Sequence, residues 1–239
     1  MADSLKAELL AGAERTLTGS GDSVDIGALR TAGRLSVTLG AVTGSPTAQV
    51  ALETRGSLTA PWREVRREIC GAQVQVFVIS GLERYVRATW TAGAGITVFL
   101  VVSIDAHVLY CEPLDIARHA LPLRATEGIL ADDITDACIA ASTSAEDYIA
   151  GAYEMPLTAW PESVRMHVAR LAGANLLRNR GIDPEGPDAL VFDTERASVK
   201  WLTLISNGKL KPPGIVDSTP EEFEGGSVHV GGTSRGWGC

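Results

Sequence analysis

Residues 132–180 read DDITDACIAASTSAEDYIAGAYEMPLTAWPESVRMHVARLAGANLLRNR, and the fold turns on this stretch. Ile134, Cys138, Ala141, Ala145, Tyr148 and Ala152 recur at steps of four and three. With 3.6 residues per turn, that spacing puts them in one stripe of an α-helix. Asp132 and Asp133 precede the stripe, where carboxylates can accept the unpaired N–H groups of a first turn. Pro156 and Pro161 bracket a connector, because neither ring nitrogen can donate to a helix ladder. Pro161 is expected at the first position of a second helix, where a missing N–H costs little. Val164, Val168, Leu171, Ala172 and Leu176 form its buried face, and Gly181 after Arg178 and Arg180 is expected to stop it. The centre of the chain therefore reads as a helical hairpin.

Small residues set the packing of that hairpin. Ala137, Ala140, Ala141, Ser142, Ala145 and Ala150 let a partner helix approach closely, while Tyr148, Tyr153, Met155 and Trp160 close the connector end. Pro113–Ala120 reads as a short leading helix. Ala189–Ser206 reads as a trailing one, with Leu190, Thr194, Ala197, Trp201, Leu202 and Ile205 at helical spacing and Asn207-Gly208 as its end. Residues 109–211 are thus expected to form a four-helix domain.

The order here is Tyr110, a Pro-Leu-Asp-Ile helix, a helix ending YIAGAYEMPL, the helix WPESVRMHVARLAGANLLRNR and the helix VKWLTLISNGKL. It resembles the head–tail connector (adaptor) proteins of tailed bacteriophages, in particular the family of Mu-like phages and prophages. The resemblance covers roughly Tyr110 to Pro213 and rests most on the Y-x-x-P-L connector and the W-L-x-x-I-x-x-G ending. It implies a non-enzymatic structural protein of the virion, made in the host cytoplasm, with neither cofactor nor metal. It further implies a ring of about twelve subunits that joins the portal protein to the neck and tail-completion proteins. DNA would pass through the lumen of that ring without sequence-specific binding.

The first half of the chain has a different texture. Ala2–Arg15 reads as a short amphipathic helix with Leu5, Leu9 and Leu10 on one side, so residues 1–15 are expected to be helical. Strand-like runs follow at 23–27, 34–42, 49–54, 62–69, 73–80, 85–90 and 96–104. Leu35, Val37 and Leu39 alternate, as do Val50 and Leu52, and Val74, Val76 and Val78. Gly44-Ser45-Pro46, Arg55-Gly56-Ser57, Ser80-Gly81 and 92–95 punctuate them as turns. About seven short strands at this interval predict an antiparallel β-sandwich over residues 16–108, making the whole chain α+β. Trp62 and Trp90 are expected as core plugs, with a sugar-stacking platform as the alternative. Arg63, Arg66 and Arg67 read as a solvated strand edge that resists aggregation, or alternatively as a dock for an acidic neighbour.

Bulk properties limit the function. The chain has 239 residues, 45% of them hydrophobic, enough for two ordinary cores. Its longest apolar run, Ile96–Ile104, is about half of a membrane span, and Asp3, Glu8 and Glu14 break any signal-peptide pattern. A soluble intracellular product without membrane contact is expected. Residues 1–109 are neutral, residues 110–211 carry −5 and the remainder −3, so no basic face offers itself to DNA. Cys70, Cys111, Cys138 and Cys239 lack C-x-x-C spacing and read as reduced, mostly buried thiols. His107, His119, His167 and His229 show no metal-ligand spacing, and neither a phosphate loop nor a nucleophile elbow is present. No catalytic residue is expected.

From Lys211 the sequence KPPGIVDSTPEEFEGGSVHVGGTSRGWGC reads as an extended tail over residues 212–239. Arg235 and Trp237, residue types that carry interface hot spots, are the expected anchors on the portal, with a disordered end as the alternative. Trp201, Leu204 and Ile205 are the expected subunit interface. The alternative reading is a carbohydrate- or capsid-binding sandwich that the helices anchor to the virion.

Overall fold

The computed structural model describes residues 5–16, 18–41, 48–71, 74–92, 97–180 and 189–216. Nine strands form among them: β1 (Leu5–Thr16), β2 (Thr18–Ser20), β3 (Val24–Asp25), β4 (Arg30–Ala41), β5 (Ala48–Arg55), β6 (Arg63–Cys70), β7 (Val74–Ser80), β8 (Tyr85–Ala92) and β9 (Thr97–Val108). One antiparallel sheet has the order β1-β9-β4-β7, and the other has β2-β8-β5-β6 with β3 also on β8. Alternation works as the strands require. Leu35, Val37 and Leu39 of β4 and Leu100, Val102 and Ile104 of β9 face Val50 and Leu52 of β5 and Val86 and Ala88 of β8 in one core.

The N-terminal segment is a strand and not the expected helix. β1 pairs with β9 but slips register between Glu8 and Leu10 and again between Leu10 and Ala13. These bulges bury the consecutive Leu9 and Leu10 together, so the apolar residues fall at a spacing that imitates a helix face. Trp90 is a core residue, lying across Gly19, where a Cβ would come within 2.2 Å of the indole. Trp62 is not. It sits half-buried outside the core, with the Arg55 and Arg87 guanidinium carbons 4.2 and 4.3 Å from its ring centroid.

Five helices follow: α1 (Pro113–His119), α2 (Leu123–Thr126), α3 (Ala131–Ile149), α4 (Glu162–Asn179) and α5 (Ala189–Ser206). The central helix is α4, which packs against α1, α3 and α5, while α2 is a single extra turn. Ala137, Ala141 and Ala145 of α3 and Ala169 and Ala172 of α4 are buried in this second core, where their small side chains permit close approach of helix backbones. Pro161 is the N-cap of α4 rather than its first helical residue. α3 starts one residue before Asp132 and is capped without a side-chain bond, so Asp132 and Asp133 lie inside its first turn. Gly208, at φ +67°, ends α5 as Lys209 N–H reaches the Leu204 carbonyl at 2.9 Å.

The two cores are joined by α3, which crosses the outer face of the β1-β9-β4-β7 sheet and packs on β7, β4 and β9. Arg34 Nε donates to Asp136 Oδ1 at 2.8 Å, and Arg66 Nη1 donates to Asp132 Oδ2 at 3.0 Å. The acidic neighbour for which Arg66 suggested a dock is therefore this chain's own helix. A bulge in β6 puts Arg63, opposite Thr54, on the same face as Arg66, opposite Leu52, and there it pairs with Glu83; Arg67 lies on the other face and pairs with Glu64. The link from β9 to α1 is also held down. Tyr110 is fully buried; its backbone N–H donates to Ser142 Oγ at 3.0 Å and its hydroxyl to Glu146 Oε1 at 3.0 Å. The same hydroxyl accepts from Leu157 N–H at 3.3 Å, and the ring meets Trp160 edge-on at 4.8 Å. The junction around Tyr110, between the last strand and the helices, is therefore packed and not a free hinge.

Candidate assembly surfaces

α5 carries two stripes, and the difference between them defines the first surface. Phe192, Ser198, Leu202 and Ile205 are buried against the other helices. Leu190, Thr194, Ala197, Trp201 and Leu204, at steps of four and three, lie beside them and keep exposed or half-exposed side chains. Of the three expected interface residues, Trp201 and Leu204 are on this second stripe. Ile205 is not: it is fully buried in the chain's own core and has no surface to give a neighbour.

Trp201 is fixed from below. Its indole stacks on the imidazole of His167 in α4, with centroids 4.2 Å apart and planes 23° from parallel. The Ser198 hydroxyl donates to the Thr194 carbonyl at 2.8 Å, so His167 Nδ1, 3.0 Å from Ser198 Oγ, carries the proton between them. Burial, with the Arg170 charge in support, lowers the His167 pKa to about 4. The imidazole is therefore a neutral prop for the Trp201 ring.

The second surface is the outer face of the β1-β9-β4-β7 sheet. α3 covers the end around Arg34, Asp105 and His107, where burial lowers the His107 pKa against the raising effect of Asp105. Beyond it the face is open, and Val74, Val76 and Phe99 are 64%, 59% and 40% exposed. A groove of about 340 Å³ along this face is lined by Lys6, Glu8, Arg34, Ser36, Ser103 and Asp105, with cations and carboxylates interspersed.

The remaining candidates have structural surroundings. His119 Nε2 lies 2.9 Å from Glu162, tying α1 to α4. The Cys111 thiol is hydrogen-bonded to Cys138 and buried, which together push its pKa well above the ordinary range, and burial raises Cys70 to about 11. Thiols held protonated in this way are poor nucleophiles. Among the described residues no group of three or more His, Cys, Asp or Glu side chains could hold a metal ion, and no helix is long and apolar enough to cross a membrane. Arg235 and Trp237, the expected portal anchors, lie outside the described residues, as does His229. The beginning of the expected tail packs back on the connector: Val216 N–H donates to the Ala159 carbonyl at 2.9 Å, and Thr158 N–H to that of Val216 at 2.7 Å.

The helical half thus presents an apolar flank on α5, with Trp201 held in place by His167. Residues 114–230 match the model of the protein family described as Bacteriophage Mu, Gp36. The match takes in all five helices, starting at the second residue of α1, and covers a little under half of the chain; that half carries the pattern of a phage protein. No curated protein matches the chain. Solved structures show partial likenesses. The PBSX exported protein XepA is 12% identical at a TM-score of 0.34, covering 44% of this chain and 37% of its own. The SPBc2 prophage-derived protein YomS is 10% identical at 0.29, covering 44% and 95%. A Clostridium thermocellum xylanase 10B fragment with CBM22-1 and GH10 modules is 10% identical at 0.28, covering 50% and 28%. The chain spans well under half of the XepA structure, and likenesses of this size do not define a shared fold.

Proposed function

We propose that this protein is a structural adaptor of a phage neck, located in the virion at the head–tail interface. Its copies form a ring, about twelve in number by the resemblance, that joins the portal to the neck and tail-completion proteins and continues the DNA channel. The observation that carries the reading is the family match over residues 114–230. The apolar stripe of α5 supports it, because a flank holding Leu190 at 72% exposure is a surface an isolated subunit has no use for. The charge of the helical half, −5, suits a channel that phosphate must slide through without binding. Arg235 and Trp237 are assigned to the portal contact, at the end of a Gly-rich segment that can follow a narrow groove.

The test is multi-angle light scattering of the purified chain, alone and mixed with the portal protein of the same virus. A ring of many subunits, alone or on the portal, is the expected result. A monomer under both conditions refutes the reading. Removal of residues 231–239 is expected to leave a folded protein that no longer joins the portal; full-affinity binding by the truncated chain moves the docking surface to the helices.

A further inference from the structure

The open part of the β1-β9-β4-β7 sheet is organised in rows. Thr38 of β4 is in register with Val101 of β9 on one side and Val74 of β7 on the other. The next row holds Ser36 between Ser103 and Val76, and Gly40 pairs with Phe99 at the far end. Phe99 lies over Gly12 of β1, where a Cβ would come within 2.7 Å of its ring. Strands β4, β7 and β9 contribute no charged side chain to these three rows. β1 brings Glu8 beside Ser103 and Glu14 into register with Phe99, so the uncharged part is the β4-β7 side with Val74, Val76 and Val101. β7 is also a sheet edge, and from Val74 to Ser80 it has no charged residue at all, unlike β6 with Arg63, Glu64, Arg66, Arg67 and Glu68. Charged residues are the usual protection of an edge, and their absence over seven residues marks a strand that is covered in use.

Two facts select the cover. The same sheet face already accepts a helix, α3, on its other rows. Among the described residues the Leu190, Thr194, Ala197, Trp201 and Leu204 flank of α5 is an uncharged stripe as well, along a helix about 27 Å long. A chain with net charge −8 repels its own copies, and two copies approach most easily where both surfaces are uncharged. The β4-β7 side of the rows and the α5 flank are two such surfaces. They are unlike one another, as a head-to-tail contact requires, and such contacts make a ring when the rotation between copies closes and a filament when it does not.

We propose that a second copy of this chain seats the exposed flank of its α5 on the open rows formed by Val74, Val76, Val101 and Phe99. This deepens the ring reading and rests on it. The rows offer on the order of 300 Å², well short of the roughly 800 Å² per partner of a stable pair. An isolated dimer is therefore weak, and the contact holds when each copy uses both surfaces in a closed ring.

The test is cross-linking between copies. Val76→Cys and Leu204→Cys variants, each in a Cys239→Ser background, are mixed under assembling conditions and oxidised with copper phenanthroline. Disulfide-linked pairs are expected in the mixture and not in either variant alone. Self-linking of Val76→Cys alone (edge-to-edge pairing of β7), self-linking of Leu204→Cys alone, or no linking in an assembled sample overturns the contact while the ring stands. A second measurement uses Val76→Glu and Leu204→Glu, both at solvent-accessible positions. Each is expected to raise the assembly concentration at least about tenfold, with monomer circular dichroism unchanged. If only Leu204→Glu does so, the sheet is not the partner; if the wild type never assembles, the ring reading falls with the contact.

Discussion

Acid should weaken this protein through its buried imidazoles, His107 and His167, and the share of His167 can be worked out. His167 is neutral in the fold, with its pKa lowered to about 4, against about 6.5 in an unfolded chain. Above pH 6.5 the group is neutral in both states and contributes no pH dependence. Between pH 6.5 and 4 the unfolded chain takes up a proton that the fold refuses, so stability falls by about 1.4 kcal/mol per pH unit. From pH 7 to pH 4.5 the loss assignable to His167 is about 2–3 kcal/mol. Replacing His167 with Gln removes the titration while keeping a polar group beside Ser198. Urea denaturation followed by far-ultraviolet circular dichroism, at pH 7 and pH 4.5, should show the wild type losing that much more than the variant. Equal losses in the two proteins refute His167 as an acid-sensitive group.

Tyr110→Phe removes the donor to Glu146 and the acceptor of Leu157 N–H in a fully buried place, and should cost about 1–3 kcal/mol in the same denaturation assay. Arg66 and Asp132 are about one-third and one-half exposed, so a double-mutant cycle with Arg66→Ala and Asp132→Ala should give a coupling of only about 0.5–1 kcal/mol. Ile205→Glu places a charge in the core and should abolish soluble folded protein, whereas Leu204→Glu should purify as a folded monomer; gel filtration distinguishes the two.

What the sequence made legible was local. The α5 limits, 189 and 206, follow from helical spacing and from Asn207-Gly208, and the strands from Val24 to Val108 follow from alternation between turn signals. β1 misled because its two bulges turn a period of two into something closer to a helix period. The structure also holds an α+β arrangement with more strands than the seven expected, the additional ones being β1 and β2. Trp62 misled because large aromatic residues are common core plugs, while its true partners, Arg55 and Arg87, lie on other strands. Arg66 and Asp132 are 66 positions apart, and no local pattern joins them. Ile205 shows the same limit at the candidate interface: spacing groups apolar residues into stripes, but only the packed helices decide which stripe faces inward.

The placement of α3 has a mechanical consequence. At its first turns it is fastened to the sandwich through Asp132 and Asp136, and farther along, through Ser142 and Glu146, to Tyr110 at the chain's crossing point. A beam about 28 Å long pinned at two stations transmits torque. A twist applied to the sheets reaches the far helices as rotation of the whole unit, and the four residues between β9 and α1 are shielded from shear they have too little length to absorb.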